Sequence, residues 1–157
     1  VRISVINVPE TPGTAAALFG KLADNNVSVD MIIQTHAING ETNNIDFTVS
    51  KTDLEQALEL VNEFKANFNA EDVLINEDIS KVSIVGAGMI DRPGIAAKMF
   101  NTLAELDINI KMIATSEIKI SCVIDEDKAQ EAISALHTVF GLNSRERATV
   151  KGDLPNV

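Results

Sequence analysis

Apolar residues recur along the chain with two different periods. The stretches RISVINV and KVSIVGAG alternate β-branched and polar residues, which predicts β-strands. In TAAALFGKLA the apolar residues are spaced i, i+3, i+4 and i+7, which places them on one face of a helix. The same spacing returns in IAAKMFNTLA. The pattern predicts an α+β protein with helices packed on one face of antiparallel sheets.

The chain contains an internal repeat. A shift of 81 residues aligns 12–32 with 93–113, and nine of these 21 positions are identical, among them the pairs Pro12-Gly13 and Pro93-Gly94. Beyond the second strand the offset falls to 75, so the first copy carries six extra residues. They lie around Asn39-Gly40, which predicts a turn. The two copies are similar without being equivalent.

In each copy we predict a strand, a helix, two further strands and a second helix, in that order. A final strand after the second helix is an open alternative. The second strands are assigned to VSVDMII and INIKMIA, and the third strands to NIDFTV and IKISCVI. We place the boundary within residues 76–80, which gives a first unit of 1–77, a second of 78–143 and a tail of 144–157. The tail has little periodicity, and we expect it to be partly disordered or to add a last strand.

A Pro-Gly pair stands in each copy where the first strand meets the first helix. Thr11 is predicted to cap the first helix, with Pro12 at its first position, where the missing N–H costs nothing. Gly13 has no Cβ, so a ligand could approach its backbone closely. Free N–H groups of a first helical turn, together with the helix dipole, favour an anion such as a carboxylate. The alternative is a plain connecting turn, which the duplication weighs against without excluding.

Acidic residues accompany these loops. Glu10 and Asp91 precede the two Pro-Gly pairs, and Asp30 lies in the second strand of the first copy. An anion site beside a carboxylate matches a zwitterion such as a free amino acid. Each acidic residue taken alone is more typical of solvated surface, where most Asp and Glu side chains are found.

Charge and composition argue against several other classes of protein. The net charge of −10 and the absence of Trp and Tyr argue against a nucleic-acid partner. No apolar run approaches the roughly 18 residues that cross a bilayer, so no membrane partner is expected. The single Cys122 excludes an internal disulfide and suits a reducing compartment, from which we predict a cytoplasmic protein. With His36 and His137 far apart, no metal site is predicted, and no catalytic motif is recognised.

The repeated PGxAAxxFxxLA, with a Met-Ile pair in the following strand, resembles the ACT domain, a small ligand-sensing module. DMIIQ, KVSIVGAGM and NIKMIATSEIKISCVI are similar to the tandem ACT region of aspartate kinase, a resemblance that covers roughly residues 2–143. It implies two ferredoxin-like βαββαβ domains in tandem that bind threonine, lysine or both. ATP and Mg would belong to the kinase catalytic domain, which is not recognisable in this chain, so no cofactor is expected here.

The resemblance also implies an effector site. Its loop falls on Glu10, Thr11, Pro12, Gly13, Thr14 and Ala15, a second group on Ser28, Val29, Asp30 and Gln34, and the other unit contributes Ile95, Ala96, Asn109, Ile110, Ser116 and Glu117. Asp91 is added as the acidic residue beside the second loop. Gln34 or Asn109 would read the effector's side chain. Ser28 stands where the second copy has Asn109, so two such sites would differ in affinity or ligand.

The implied mechanism is allosteric. An effector at the seam between ACT units favours one packing of them, and a kinase catalytic domain or subunit linked to that packing loses activity. A homodimer through the ACT domains is implied as well. Three alternatives stay open: an RNA-recognition fold, an enzyme that uses Cys122 or Glu117, and an ACT pair from another amino-acid-responsive protein.

Overall fold

A computed structural model of the 157-residue chain describes residues 1–36, 42–87, 89 and 92–142. The elements in chain order are β1 (Arg2–Pro9), α1 (Thr14–Asp24), β2 (Val29–His36), β3 (Thr42–Val49), α2 (Leu54–Phe68), β4 (Asp72–Asn76), β5 (Ile79–Val85), α3 (Ile95–Glu105), β6 (Met112–Thr115), β7 (Lys119–Asp125) and α4 (Ala129–Val139). The order βαββαβ–βαββα repeats one plan, so the predicted α+β fold of two ACT-like units is confirmed.

The first unit is a four-stranded antiparallel sheet in the order β2-β3-β1-β4. In β3 every second residue is buried, namely Asn43, Ile45, Phe47 and Val49, because successive side chains of a strand point to opposite faces. Helices α1 and α2 cover this face. They contribute Leu18, Leu22, Ala57, Val61 and Phe64 to the core, and the ring of Phe19 meets that of Phe47 edge-on at 5.4 Å between centroids.

The second unit forms a three-stranded antiparallel sheet in the order β5-β7-β6, covered by α3 and α4. Its core holds Val82, Met99, Leu103, Ile108, Ile120, Cys122, Ile124, Ala132 and Leu136. Three sequence predictions lie outside the described residues: the turn at Asn39-Gly40, the last strand of the second copy and the tail of 144–157. No helix in the described part of the chain combines the length and hydrophobicity of a membrane span.

Strand β2 packs across the outer face of the second sheet, which is the face away from the helices. A separate buried cluster joins Met31 of β2 with Ile79, Met112 and Val123 of the second sheet, and Ile33 and Ala114 pack against it. Two ion pairs flank the cluster, Asp30 with Lys81 and Lys51 with Glu126. Because these ion pairs are exposed and screened by water, the apolar cluster is the main contact between the units.

Two irregularities interrupt the first sheet. The pairing of β1 shifts register between Val5 and Val8, where Asn7 has a φ of 51°. The pairing of β2 with β3 shifts between Asp30 and Ile33, where Met31 has a φ of 45°. Bulges of this kind bend a strand and redirect the side chains that follow, so both strands reach the Pro-Gly loop with altered direction.

Two predictions of local structure are wrong. Helix α1 begins at Thr14 with Gly13 as its N-cap, so Thr11 does not cap it and Pro12 is not its first residue. Gly13 has φ 95° and ψ −10°. Because this conformation is left-handed, the right-handed helix cannot include Gly13 or the residues before it. Strand β6 begins at Met112 rather than at residue 108, because its pairing with β7 starts where Met112 lies opposite Val123.

Candidate functional site

A cavity of about 510 Å³ lies between the first Pro-Gly loop and the end of the first sheet. We call it the loop cavity. Its lining residues are Val8, Pro9, Glu10, Thr11, Pro12, Gly13, Thr14, Ala15, Ala16, Gln34, Asn43 and Ile45. All six residues predicted for the effector loop therefore border the same space, and β2 brings Gln34 to it.

The first turn of α1 has hydrogen-bond donors without acceptors. The N–H of Thr14 donates to the carbonyl of Thr11 at 3.2 Å, and that of Ala17 donates to the carbonyl of Gly13 at 2.8 Å. The N–H groups of Ala15 and Ala16 have no acceptor among the described residues, and both residues line the loop cavity. Free N–H groups at a helix N-terminus attract anions. The arrangement suits a carboxylate.

Two side chains of the loop have different roles. That of Thr14 stabilises the loop conformation, and that of Glu10 supplies a negative charge. The Thr14 hydroxyl lies 2.8 Å from that of Thr11 and donates to the carbonyls of Thr11 and Pro9 at 2.9 and 3.3 Å. Glu10 is half exposed, and its Oε2 lies 3.5 Å from Nδ1 of His36. An ammonium group in the loop cavity could therefore pair with the Glu10 carboxylate.

The second predicted group is divided between two places. Ser28, Val29 and Asp30 line a crevice of about 360 Å³ between the two units, together with Val1, Thr48, Val49, Ser50, Ile79, Lys81 and Val123. We call it the seam crevice. Asp30 accepts hydrogen bonds from Lys81 and from the N–H of Met31, the latter at 3.0 Å. The Lys81 ammonium lowers the pKa of Asp30, so this carboxylate is ionised and already paired at neutral pH.

The second Pro-Gly loop repeats the backbone of the first. Gly94 has φ 95° and ψ −8°, and the N–H of Lys98 donates to its carbonyl at 2.8 Å, as Ala17 does to Gly13. The other predicted residues of this copy, Ile95, Ala96, Asn109, Ile110, Ser116 and Glu117, line neither the loop cavity nor the seam crevice. Asn109, Ser116 and Glu117 are exposed, and Ile95, Ala96 and Ile110 are half-buried. Asp91 lies outside the described residues.

Sequence reasoning missed four polar residues of these cavities, Asn43, Thr48, Ser50 and Lys81. Asn43 carried a readable signal, because it occupies the first position of the otherwise apolar row Ile45, Phe47, Val49. A polar side chain within such a buried row is expected to have a hydrogen-bond partner or a function. Lys81 carried no such signal, since its partner Asp30 lies 51 residues away in the sequence. Within the described ranges, no cluster of His, Cys, Asp or Glu side chains could hold a metal ion.

Comparison with known proteins decides the family. The ACT domain model matches residues 1–64 and 82–140, one match on each unit. The chain belongs to the ACT domain family. An aspartokinase of Pseudomonas aeruginosa is 43% identical over 146 residues, which are 93% of this chain and 35% of that protein. The chain thus spans about a third of the length of the curated relatives it matches.

Solved structures agree with this assignment. The ligand-free regulatory subunit of aspartate kinase from Thermus thermophilus is 40% identical with a TM-score of 0.82, covering 88% of this chain and 91% of that one. Aspartate kinase from Synechocystis is 45% identical with a TM-score of 0.85, covering 95% of this chain and 26% of that one. The predicted resemblance is confirmed: this ACT pair corresponds to the regulatory region of aspartokinases, as a separate subunit or as part of a longer chain.

The structure also bears on Cys122. Its side chain is fully buried in the core of the second ACT unit, beneath α3 and α4. Burial raises the pKa of the Cys122 thiol to about 11, so the thiol stays protonated at neutral pH. The thiolate is the nucleophile in cysteine chemistry, which makes this position unsuited to catalysis.

We therefore predict that Cys122 is inert in the folded protein. A thiol reagent such as dithionitrobenzoate should react with it at pH 8 far more slowly than with the same thiol in urea, where it is exposed and regains its usual acidity. The release of coloured thiolate measures both rates. Equal rates in buffer and in urea would contradict the buried position.

The Pro-Gly turn generates a second prediction. In Gly13→Ala the Cβ meets no atom within 4 Å, so steric contact is not at issue. The φ of 95° remains unfavourable for any L side chain, and we expect a loss of about 1–2 kcal/mol in the free energy of unfolding. Urea denaturation measures it.

Gly20→Ala is the matched control for this variant. Gly20 lies inside α1 and also has open space around a built Cβ, but its φ is not positive. Replacing a helical Gly by Ala should stabilise the protein by about 0.5–1 kcal/mol. Changes of the same sign in the two variants would show that the left-handed turn is not the constraint.

Proposed function

We propose that this ACT pair is the feedback-regulatory region of an aspartate kinase and that its loop cavity binds L-threonine, with L-lysine as the second candidate. The observation that carries the proposal is the pair of unused N–H groups, on Ala15 and Ala16, beside the Glu10 carboxylate in one cavity. The kinase reaction, ATP-dependent phosphorylation of L-aspartate, belongs in this proposal to the catalytic part of the aspartokinase family, where ATP and Mg bind.

The polar groups of the loop cavity match the two ends of an amino acid. The effector's carboxylate accepts hydrogen bonds from Ala15 and Ala16, where the helix dipole adds a favourable field. Its ammonium pairs with Glu10. The side chain extends toward the strands, where Gln34 offers a carboxamide. Hydrogen bonds to charged groups are worth about 1.5–3 kcal/mol each, so these contacts are strong enough to hold a molecule this small.

Strand β2 connects the loop cavity to the packing of the two units. Gln34 lies near its end, while Met31 and Ile33 lie in the cluster against the second sheet. A ligand that fixes Gln34 therefore acts on the strand that positions the second unit. Coupling between sites typically amounts to about 1–3 kcal/mol, and it requires that the ligand bind the two arrangements with different affinity.

The proposed partners are a second copy of the chain and a kinase catalytic domain or subunit. The first sheet ends at β2 and β4 and the second at β5 and β6, and sheet edges invite pairing. Ile32 on β2 is 53% exposed. In a homodimer the other predicted contacts, Asn109 and Glu117 among them, could reach a loop cavity from the partner protomer.

The competing functions fit the geometry less well. RNA-recognition folds stack bases on exposed aromatic residues of the sheet, whereas Phe47, the aromatic residue of β3, is fully buried. An enzyme built on Cys122 conflicts with the raised pKa of its thiol. An ACT pair that senses amino acids for another protein has the same cavity and differs only in the domain to which it is linked. It is therefore the alternative function.

We predict that L-threonine or L-lysine raises the melting temperature of this protein. A ligand that binds only the native state stabilises it by about 2.7 kcal/mol at a hundredfold excess over its Kd. Glu10→Gln should lose most of the shift because it removes the charge opposite the ammonium, whereas Glu59→Gln, exposed on α2, should keep it. If neither amino acid moves the transition at millimolar concentration, the effector assignment is wrong.

We also predict self-association that strengthens with effector. Sedimentation velocity should show a dimer, and Ile32→Lys should weaken it if β2 forms the contact, since an edge lysine opposes strand pairing. Ile133→Lys, at an Ile 48% exposed on α4, is the matched change on a helix. A monomer both with and without threonine would remove the homodimer from the proposal.

A further inference from the structure

The side-chain oxygen of Asn43 is buried and has no hydrogen-bond partner among the described residues. Asn43 lines the loop cavity and is 4% exposed. Its Oδ1 is shielded from solvent and accepts no hydrogen bond from any residue that the structure describes. Buried polar side chains are nearly always paired, so this amide is an exception that needs a cause.

The fold itself supplies no cause. Ile45, Phe47 and Val49, which share the face of β3 with Asn43, are all buried and apolar. The repeat offers a direct comparison, because the offset of 75 aligns Asn43 with Ile118. Ile118 is 55% exposed and precedes β7, so the second ACT unit has no buried amide at the start of this strand. An unpaired amide at this position costs stability, so its benefit must lie outside folding.

The neighbouring polar groups cannot take over as partners. The Thr14 hydroxyl already bonds to Thr11 and to the carbonyl of Pro9. Gln34 is an exposed residue on β2. Asn43 lines the loop cavity on its strand side, whereas the N–H groups of Ala15 and Ala16 lie on the helix side. A ligand that spans the cavity would meet both.

We propose that the Asn43 carboxamide pairs with a hydrogen-bonding group on the ligand's side chain, and that it makes the loop cavity select such amino acids over their apolar isosteres. The inference rests on the proposed function, since it concerns the ligand of the same cavity. An apolar pocket discriminates poorly between isosteres, whereas a site with a buried polar group rejects a ligand that leaves it unpaired. Asn43 is the specificity-determining residue in this view.

The test compares two pairs of isosteric ligands on the unsubstituted protein and on Asn43→Ile. L-Threonine is measured against L-valine, and L-lysine against L-norleucine, by titration calorimetry. For whichever polar ligand binds, the unsubstituted protein should prefer it over its isostere by roughly 10- to 100-fold. In Asn43→Ile, which installs the side chain of the second copy, the preference should fall to within about threefold, and the urea midpoint should stay equal or rise.

Asn44→Ile is the matched control on the same strand. The Oδ1 of Asn44 accepts the N–H of Asn7 at 3.0 Å, so this amide has a structural partner. Its loss should lower the urea midpoint and leave the ligand preference in place. Asn43→Leu, closer in shape to Asn, serves as a second variant with the expectations of Asn43→Ile, in case the β-branched side chain disturbs folding.

The possible results distinguish a failure of this inference from a failure of the proposed function on which it rests. If the unsubstituted protein binds neither threonine nor lysine, the proposed function fails and the inference with it. If it binds one of them but Asn43→Ile and Asn43→Leu keep the full preference, the inference alone is overturned. A marked loss of stability in both Asn43 variants would also overturn it, because Asn43 would then be a structural residue.

Discussion

The site depends on one backbone conformation, the left-handed turn at Gly13. The chain must leave β1 at Pro9 and enter α1 at Thr14, and a φ of 95° at Gly13 makes this change of direction possible. The Thr14 hydroxyl bonds back to the loop and holds it against the helix start. As a result the anion site consists of main-chain N–H groups, which carry no ionisable proton near neutral pH. These donors therefore keep their strength when the pH changes.

Strand β2 links the loop cavity to the packing of the two ACT units. Its first half lies in the seam crevice, where Asp30 pairs with Lys81 and Met31 packs on the second sheet. Its second half carries Gln34 to the loop cavity. At about 3.3 Å per residue, Met31 and Gln34 are roughly 10 Å apart along one strand. Met31 also holds a φ of 45°, which is strained for an unbranched side chain and persists where packing imposes it. A ligand at Gln34 thus acts on a segment whose conformation already depends on how the two units pack.

Local patterns in the sequence predicted most of the fold, and long-range contacts account for the misses. The helix faces and most strands follow from periodicity within a few residues, and the repeat doubled the support for each Pro-Gly loop. The cap was misassigned because Thr11 and Gly13 are both common before a helix, and composition alone does not reveal a dihedral angle. The packing of β2 on the outer face of the second sheet was not predicted, since β2 meets that sheet only after both units have formed. Strand β6 is shorter than its apolar pattern suggested because its ladder with β7 begins at Met112.

The divergence between the two copies separates what folding requires from what a ligand requires. Residues that shape the framework match: Phe19 and Leu22 recur as Phe100 and Leu103, and Gly13 recurs as Gly94 with the same φ. Three polar residues of the loop cavity do not match, since Thr14, Gln34 and Asn43 align with Ile95, Thr115 and Ile118. The second unit folds on the same plan without these three side chains, so the plan itself does not require them, although the Thr14 hydroxyl also holds the first loop in place. A buried unpaired amide is a cost that selection removes unless something offsets it. Its presence in the first unit alone is consistent with the proposed function, in which the first ACT unit reads the ligand's side chain, while the second, through Met112 and Val123, provides the surface on which β2 rests.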